Sequence, residues 1–347
     1  MKVLLVGGAG YVGSILAEEL LIRGYAIRIF DRFYYGDCGL REIREKVEII
    51  QGDIRQIGED ILEGIEVVIN LGGLSNDPTA EYNPQANIEM NTDATIALAK
   101  SCKKKGVKRY IFASSCSIYD VGVKEKLKDI VLTEDSRVSP RAAYSSSKYE
   151  AEKKLLSMTD AEFCPIILRK GTIYGFSHRM RYDLVVNTFV KDVFLKGYMT
   201  LHYGGEMWRP LLDVRDAARS YIACIEAEEE KVKGQIFNVV FDNFRISEVA
   251  LRVKNCFDEL NIPADIKPQY KYWGVRNYRV SNEKMEKVLG IKPKVSIEES
   301  VKNMIEKITQ CGYTDFSNPK YYNISWMRLL EEADDIIKIT GYLLTKK

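Results

Sequence analysis

Two side chains four residues apart can move a proton: Tyr144 and Lys148, in the run Tyr144-Ser145-Ser146-Ser147-Lys148. On a helix, positions i and i+4 share one face, one turn apart. A lysine ammonium near a phenol favours the phenolate and lowers its pKa from about 10. Such a tyrosine is a usable proton acceptor or donor near neutral pH. A hydroxyl can join the pair, because Ala113-Ser114-Ser115-Cys116-Ser117-Ile118-Tyr119 follows an apolar run and brings a serine to the carboxyl edge of a sheet. Alone, a Tyr–Lys pair at helical spacing usually marks a solvated face. Its surroundings here reverse that reading.

The next feature is suited to a diphosphate. In Gly7-Gly8-Ala9-Gly10-Tyr11-Val12-Gly13 the glycines at 7, 10 and 13 are three apart, between an apolar run and a helical one. A strand–turn–helix of this kind points backbone N–H groups and a helix N-terminus at a pyrophosphate. Asp31 ends the following strand, where a carboxylate accepts hydrogen bonds from an adenosine ribose. A 2′-phosphate would be repelled there, so NAD is expected over NADP; the neighbouring Arg32 weakens this preference without reversing it. In Gly52-Asp53-Ile54-Arg55, Asp53 can accept from an adenine amino group while Ile54 packs on the ring.

These motifs need a scaffold, and the chain alternates strand-like and helical runs. Strands are expected at Val3–Val6, Ala26–Phe30, Val47–Ile50, Val67–Leu71, Arg109–Ala113 and Cys164–Arg169. Helical periodicity covers Ser14–Leu21 and Asn87–Cys102, and Ser139-Pro140 reads as the start of a helix over Arg141–Ser157. The alternation predicts an α/β fold: a Rossmann-type doubly wound parallel sheet with a smaller mixed α/β substrate domain. The dinucleotide domain is expected over 1–175, with a return at about 210–240. The second domain takes 176–209 and 241–320, and 321–347 forms a C-terminal helical extension. Within that extension Trp326, Leu329, Leu330, Ala333, Ile336 and Ile337 make an apolar stripe, suited to a core patch or an interface.

Taken together, the chain resembles the extended short-chain dehydrogenases/reductases, in particular the NAD-dependent nucleotide-sugar epimerase/dehydratase family. The resemblance runs from Lys2 to about Ile308. It rests on the Gly-rich loop, Asp31, Asp53-Ile54, Ser115 with Tyr119, Tyr144-x-x-x-Lys148 and Leu168-Arg169…Tyr174-Gly175. It implies a catalytic triad: Ser115 orients a sugar hydroxyl, Tyr144 moves its proton, and Lys148 bonds the nicotinamide ribose and tunes Tyr144. It also places Leu71, Gly72, Gly73 and Asn91 around the nicotinamide pocket. Departures are Val6, Asn70 and Asp120, where the family often has Thr, His and Gly. For the substrate, the resemblance implies Ser75, Ser115, Asn187 and Arg209, the last on the diphosphate. Arg276 is a second phosphate ligand by the same reasoning, with Arg279 as the alternative. Arginine suits a diphosphate because its donors pair with two oxygens at once. The basic loop of His178, Arg179 and Arg181 could touch substrate, but a lone loop histidine is more often merely exposed, and the loop is left outside the site.

The family's 4,6-dehydratases carry an Asp-Glu pair after the serine or threonine, whereas Cys116 and Ser117 follow Ser115 here. The expected reaction is therefore at C4 of a nucleotide-diphosphate sugar, as a 4-epimerase or 4-dehydrogenase, with 4-keto-sugar reduction as the alternative. A non-catalytic dinucleotide-binding regulator would usually lack the Tyr–Lys pair.

Composition closes off other classes. Lys+Arg is 51 against 49 Asp+Glu, a net charge of +2, which gives nucleic acid no basic surface. With two histidines, His178 and His202, neither a histidine-rich metal site nor a serine-protease-like triad is expected. The seven cysteines include no CxxC pair, and a cytoplasmic location with reduced thiols is expected. No membrane partner is expected, and the family resemblance implies a homodimer or dimer of dimers, built from the helices near 87–102 and 141–157. Asp31 makes a direct prediction: NAD should bind at least about tenfold more tightly than NADP, roughly 1.4 kcal/mol, in calorimetric titration of the apoprotein. Equal or tighter NADP binding would contradict it.

Overall fold

Short runs rich in Val, Ile and Leu, buried on both faces, build the centre of the molecule. The computed structural model describes residues 1–120, 130–270 and 276–341. Its main sheet has seven strands: β1 (Lys2–Val6), β2 (Ala26–Asp31), β3 (Glu48–Gln51), β4 (Val67–Asn70), β5 (Arg109–Ser115), β6 (Cys164–Lys170) and β7 (Ile236–Val239). All pair in parallel, in the order β7-β6-β5-β4-β1-β2-β3. The fold is thus a Rossmann-type doubly wound sheet. The chain reverses its winding between β1 and β4, and a ligand crevice opens at the carboxyl ends beside such a switch point.

Three helices matter most for the site: α1 (Tyr11–Ile22), α2 (Ala94–Lys104) and α3 (Ala143–Leu156). The expected run Asn87–Cys102 is interrupted. Pro84–Ile88 is α-helical, Glu89–Asp93 forms a π turn, and α2 follows. The wide turn carries Asn91. The helix start at Ser139-Pro140 is corrected: α3 begins at Ala143, capped by an extended Ala142 without a side-chain cap. A residue before proline is pushed towards extended backbone, and the chain stays irregular as far as Ala142. Tyr144 consequently sits in the first turn of α3.

Two apolar clusters pack on the faces of the sheet. One includes Leu5, Leu16, Ile29, Ile111 and Tyr221, the other Leu4, Val68, Leu98, Phe112 and Leu155. A separate cluster joins Val186, Val190, Phe244, Val253, Phe257, Val301 and Met304. The C-terminal helix runs from Asn323 to Thr340, and 342–347 lie outside the described residues. Its apolar stripe does not cover a core along its length. Trp326 Nε1 donates to the Tyr34 carbonyl and Met327 packs on the sheet cluster. Leu329, Ile336 and Ile337 are 42%, 50% and 39% exposed. Only the first turns are seated, because the helix then runs out past the body of the fold.

A buried polar network fastens α3 to the sheet. Arg169, at the end of β6, donates to Glu152 of α3 through Nη2 at 2.7 Å and through Nε at 3.1 and 3.2 Å; the two side chains are 3% and 1% exposed. Ser114 Oγ donates to the same carboxylate, while Arg169 Nη1 donates to Tyr119 Oη at 2.6 Å and Tyr119 to Asn238 Oδ1 at 2.9 Å. Breaking one partner of such a pair leaves an uncompensated buried charge. Arg169→Met should therefore lower the unfolding free energy by about 3–5 kcal/mol in urea denaturation. Arg169→Met with Glu152→Leu, which removes both charges, should recover most of that loss.

Candidate active site

The glycine loop follows β1 because α1 must start immediately. Gly7 has φ of +79°, and a Cβ there would lie 2.9 Å from Gly72 N. Bare backbone at Gly7 lets the β1 and β4 loops touch and leaves the N-terminus of α1 facing the crevice. Asp31 pins this loop: its carboxylate accepts from Ala9 N at 2.9 Å and Phe33 N at 2.7 Å, although burial raises its pKa. Asp53 accepts from Arg55 N and the Arg55 guanidinium, and pairs with Arg32. The Arg55 hydrogen bond lowers its pKa to about 2. Arg32 is thus engaged by Asp53.

A cleft of about 610 Å³ runs along the carboxyl edge of the sheet. It is lined by Gly7, Gly10, Tyr11, Val12, Gly13, Asp31, Asp53, Ile54, Leu71, Gly72 and Gly73 towards one end. Ser75, Ser115, Tyr144, Lys148, Arg209 and Arg276 line the other. Asn70, the departure from the family pattern, is fully buried. Its Oδ1 accepts from Gly72 N at 3.0 Å, and its Nδ2 donates to Thr95 and to Tyr110 Oη at 2.9 Å. It shapes the loop from below.

Two expected site residues do not line this cleft. Asn91 is buried behind the loop; its Nδ2 donates to Leu74 O at 3.0 Å and Asn87 Oδ1 at 2.7 Å. A Cβ on Gly73, whose φ is +117°, would collide with Asn91 Oδ1, so Asn91 supports the loop from outside. Asn187 is also fully buried. It accepts from Gly175 N at 3.0 Å and donates to Tyr11 Oη at 3.1 Å and Arg181 O at 2.8 Å. These bonds join the 175–181 loop to α1, and the side chain lies behind the cleft rather than in its lining.

Ser115 ends β5 and Tyr144 lies in the first turn of α3; both line the cleft, and Ser115 Oγ accepts from Ser117 N at 3.1 Å. Lys148, 3% exposed, places Nζ 4.8 Å from the Phe112 ring centroid and 6.0 Å from that of Tyr144. The expectation of a lowered phenol pKa is not met in the protein alone. Burial, then the Asp77 carboxylate, pushes Tyr144 up to about 12, and burial lowers Lys148 to about 8. Desolvation and Asp77 outweigh the Arg276 and Arg181 guanidiniums that pull the phenol down.

The sequence reading missed several lining groups. Lys170, paired in register with Ser115, donates to Tyr221 Oη at 2.6 Å; burial and the Lys148 ammonium lower its pKa to about 7. Arg179 and Arg181 come from the basic loop left outside the site, and with Asp183 they line the cleft, Arg181 paired with Asp183 at 2.8 Å. Asn323 and Ile324 of the C-terminal helix close one side. Arg276 meets Asp77 at 2.5 Å and Asp120 at 3.8 Å. The Arg-Met-Arg-Tyr-Asp run at 179–183 held the available signal. Among the described residues no helix is long and apolar enough to cross a membrane, and no His/Cys/Asp/Glu group could hold a metal ion.

A dinucleotide fold with a Ser-Tyr-Lys cluster beside its switch point defines an oxidoreductase-type enzyme class. Residues 3–239 match the NAD dependent epimerase/dehydratase family, to which this chain belongs; it is an enzyme, and NAD is its cofactor. The chain is 28% identical over 315 residues to UDP-N-acetyl-alpha-D-glucosaminuronate decarboxylase of Bacillus cytotoxicus, covering 88% of this chain and 97% of that one. It is 26% identical to UDP-glucose 4-epimerase of Corynebacterium glutamicum, covering 84% and 91%. Among solved structures, UDP-glucose 4-epimerase of Thermotoga maritima superposes with a TM-score of 0.78 at 22% identity, covering 90% and 99%, and shows the shared fold.

Lys170 yields a prediction about stability. Its amine titrates at about 7 in the folded protein, against roughly 10.4 when solvated. The unfolded chain therefore holds one more proton between those values, and stability rises with pH across that window. Lys170→Met should raise the apoprotein melting temperature, with the gain largest below pH 7 and vanishing as pH rises towards the solvated value. Thermal melts of both proteins across this range check it; a gain independent of pH would contradict it.

Proposed function

We propose that the enzyme catalyses hydride transfer at C4 of a nucleotide-diphosphate sugar, as a 4-epimerase or net 4-dehydrogenase. The observation that carries this reading is the grouping of Ser115, Tyr144 and Lys148 in one cleft with Arg209 and Arg276. Gly7, Gly10–Gly13, Asp31, Asp53 and Ile54 hold the adenosine and diphosphate of NAD, and Leu71–Gly73 with Lys148 hold its nicotinamide half. When bound, NAD supplies a hydride acceptor and a positively charged ring.

Ser115 then orients the sugar 4-hydroxyl and Tyr144, as phenolate, takes its proton. The hydrogen on C4 leaves with its electron pair, and a 4-ketone remains. Returning hydride to the opposite face of C4, with the proton going back to O4, inverts C4. General acid–base catalysis and orientation are the protein's contributions. Arg209 supports the substrate assignment because it also borders a second cavity of about 620 Å³, lined by Thr188, Thr200, His202 and Met207, to which we assign the nucleoside. Its guanidinium donates to Trp208 O at 2.9 Å and to the Arg276 carbonyl. We assign 176–209 and 241–320 to this substrate-binding part, and the functional form to a dimer or a dimer of dimers.

Dehydration is disfavoured, since Cys116 is buried with Sγ 3.0 Å from Arg169 O and Ser117 offers no carboxylate. Decarboxylation shares the first step, because a ketone at C4 is β to a carboxyl on C5, and a decarboxylase is among the relatives. Product identification across UDP-, GDP-, CDP- and dTDP-sugars separates these outcomes. Tyr144→Phe should lower kcat by about 10²–10⁴-fold while NAD and substrate binding stay nearly unchanged. Lys148→Ala should weaken NAD binding as well as kcat, and Arg209→Ala should weaken substrate binding alone. More than about a tenth of wild-type kcat in Tyr144→Phe would overturn the assignment.

A further inference from the structure

Arg179 is 3% exposed, lines the cleft, and has no carboxylate within ion-pair distance among the described residues. Its Nε is buried without a hydrogen-bond partner. Its Nη2 donates to Asn323 Oδ1 at 2.6 Å, and its guanidinium carbon stands 3.6 Å from the Tyr35 ring centroid. The Asp31 and Asp183 carboxylates act on it only from beyond ion-pair distance, and a buried cation without a paired counter-charge is costly.

The position indicates what counter-charge would pair with it. The loop carrying Arg179 docks on the first turn of α1: Ser177 Oγ donates to Tyr11 O at 2.7 Å and lies 2.9 Å from Ser14 Oγ. A Cβ on Gly39 would meet Ala9 O at 2.8 Å and the Arg179 Cβ at 3.4 Å. Arg179 therefore stands beside the glycine loop and the N-terminus of α1. Burial beside Arg181 lowers its pKa to about 10, so it stays charged at neutral pH. Asn323, which orients it, opens the C-terminal helix and also donates to Ser75 Oγ at 2.7 Å.

We infer that Arg179 is the side-chain counter-charge for the cofactor's diphosphate, and that the C-terminal helix holds it in place through Asn323. Cofactor retention is thereby coupled to a segment far from the glycine loop in sequence. The inference rests on the cofactor lying along that loop and is independent of which sugar reacts.

The test reads binding rather than turnover. NAD, ADP-ribose, adenosine and UDP are titrated calorimetrically into wild type, Arg179→Met, Arg179→Lys and Asn323→Leu. Arg179→Met should weaken NAD and ADP-ribose about tenfold or more, the scale of a charge-assisted pair, and leave adenosine within about twofold. Arg179→Lys should restore part of the loss. Asn323→Leu should weaken both diphosphates by a smaller factor, and it keeps the inference testable if Arg179→Met fails to fold. NAD affinity unchanged in Arg179→Met, an equal loss for adenosine, or a loss confined to UDP would overturn the inference. Unchanged diphosphate binding in Asn323→Leu would overturn the role of the helix.

Discussion

The buried Arg169–Glu152 pair is the constraint on which the site depends. Tyr144, Lys148 and Glu152 follow one another at four-residue steps along one face of α3. Fixing the last of these fixes the rotation of the helix, and with it the approach of Tyr144 to Ser115. Arg169 and Ser115 end neighbouring strands, so one network references both the hydroxyl and the phenol to the same sheet edge. Ionic pairs at such depth add little net stability. Their directional hydrogen bonds instead hold the catalytic helix in one orientation.

Charge is distributed in the cleft in a second pattern. Arg181 and Arg276 have carboxylate partners in Asp183 and Asp77, whereas Lys148 and Lys170 are both held at depressed pKa and Arg179 lacks a paired counter-charge among the described residues. The cleft is built for anions, although the molecule as a whole is nearly neutral at +2. A dinucleotide and a nucleotide sugar each bring a diphosphate.

Much of this was legible in the chain. The strand–turn–helix at Gly7–Gly13, Asp31 at a strand end and the four-residue spacing of Tyr144 and Lys148 are local patterns, and local geometry follows from them. Asn91 and Asn187 entered through the family resemblance; both are buried outside the cleft lining and satisfy backbone groups, which no local pattern shows. Arg179, in a loop that could touch substrate, was left out of the site, and Lys170 was missed. Their neighbours Asn323, Tyr35 and Tyr221 are distant in sequence, and only tertiary packing shows that these cations face the cleft. The apolar stripe of the C-terminal helix likewise predicted burial that only its first turns achieve.

The central claim is that Tyr144 takes a proton from a sugar 4-hydroxyl as hydride leaves C4. Rapid mixing of the NAD-loaded enzyme with a nucleotide sugar carrying deuterium at C4, followed by nicotinamide absorbance, tests it most directly. The account predicts reduced nicotinamide forming more slowly from the deuterated sugar than from the protiated one, and forming with neither in Tyr144→Phe. Turnover of a nucleotide sugar with no reduced nicotinamide and no isotope effect from C4 would contradict it.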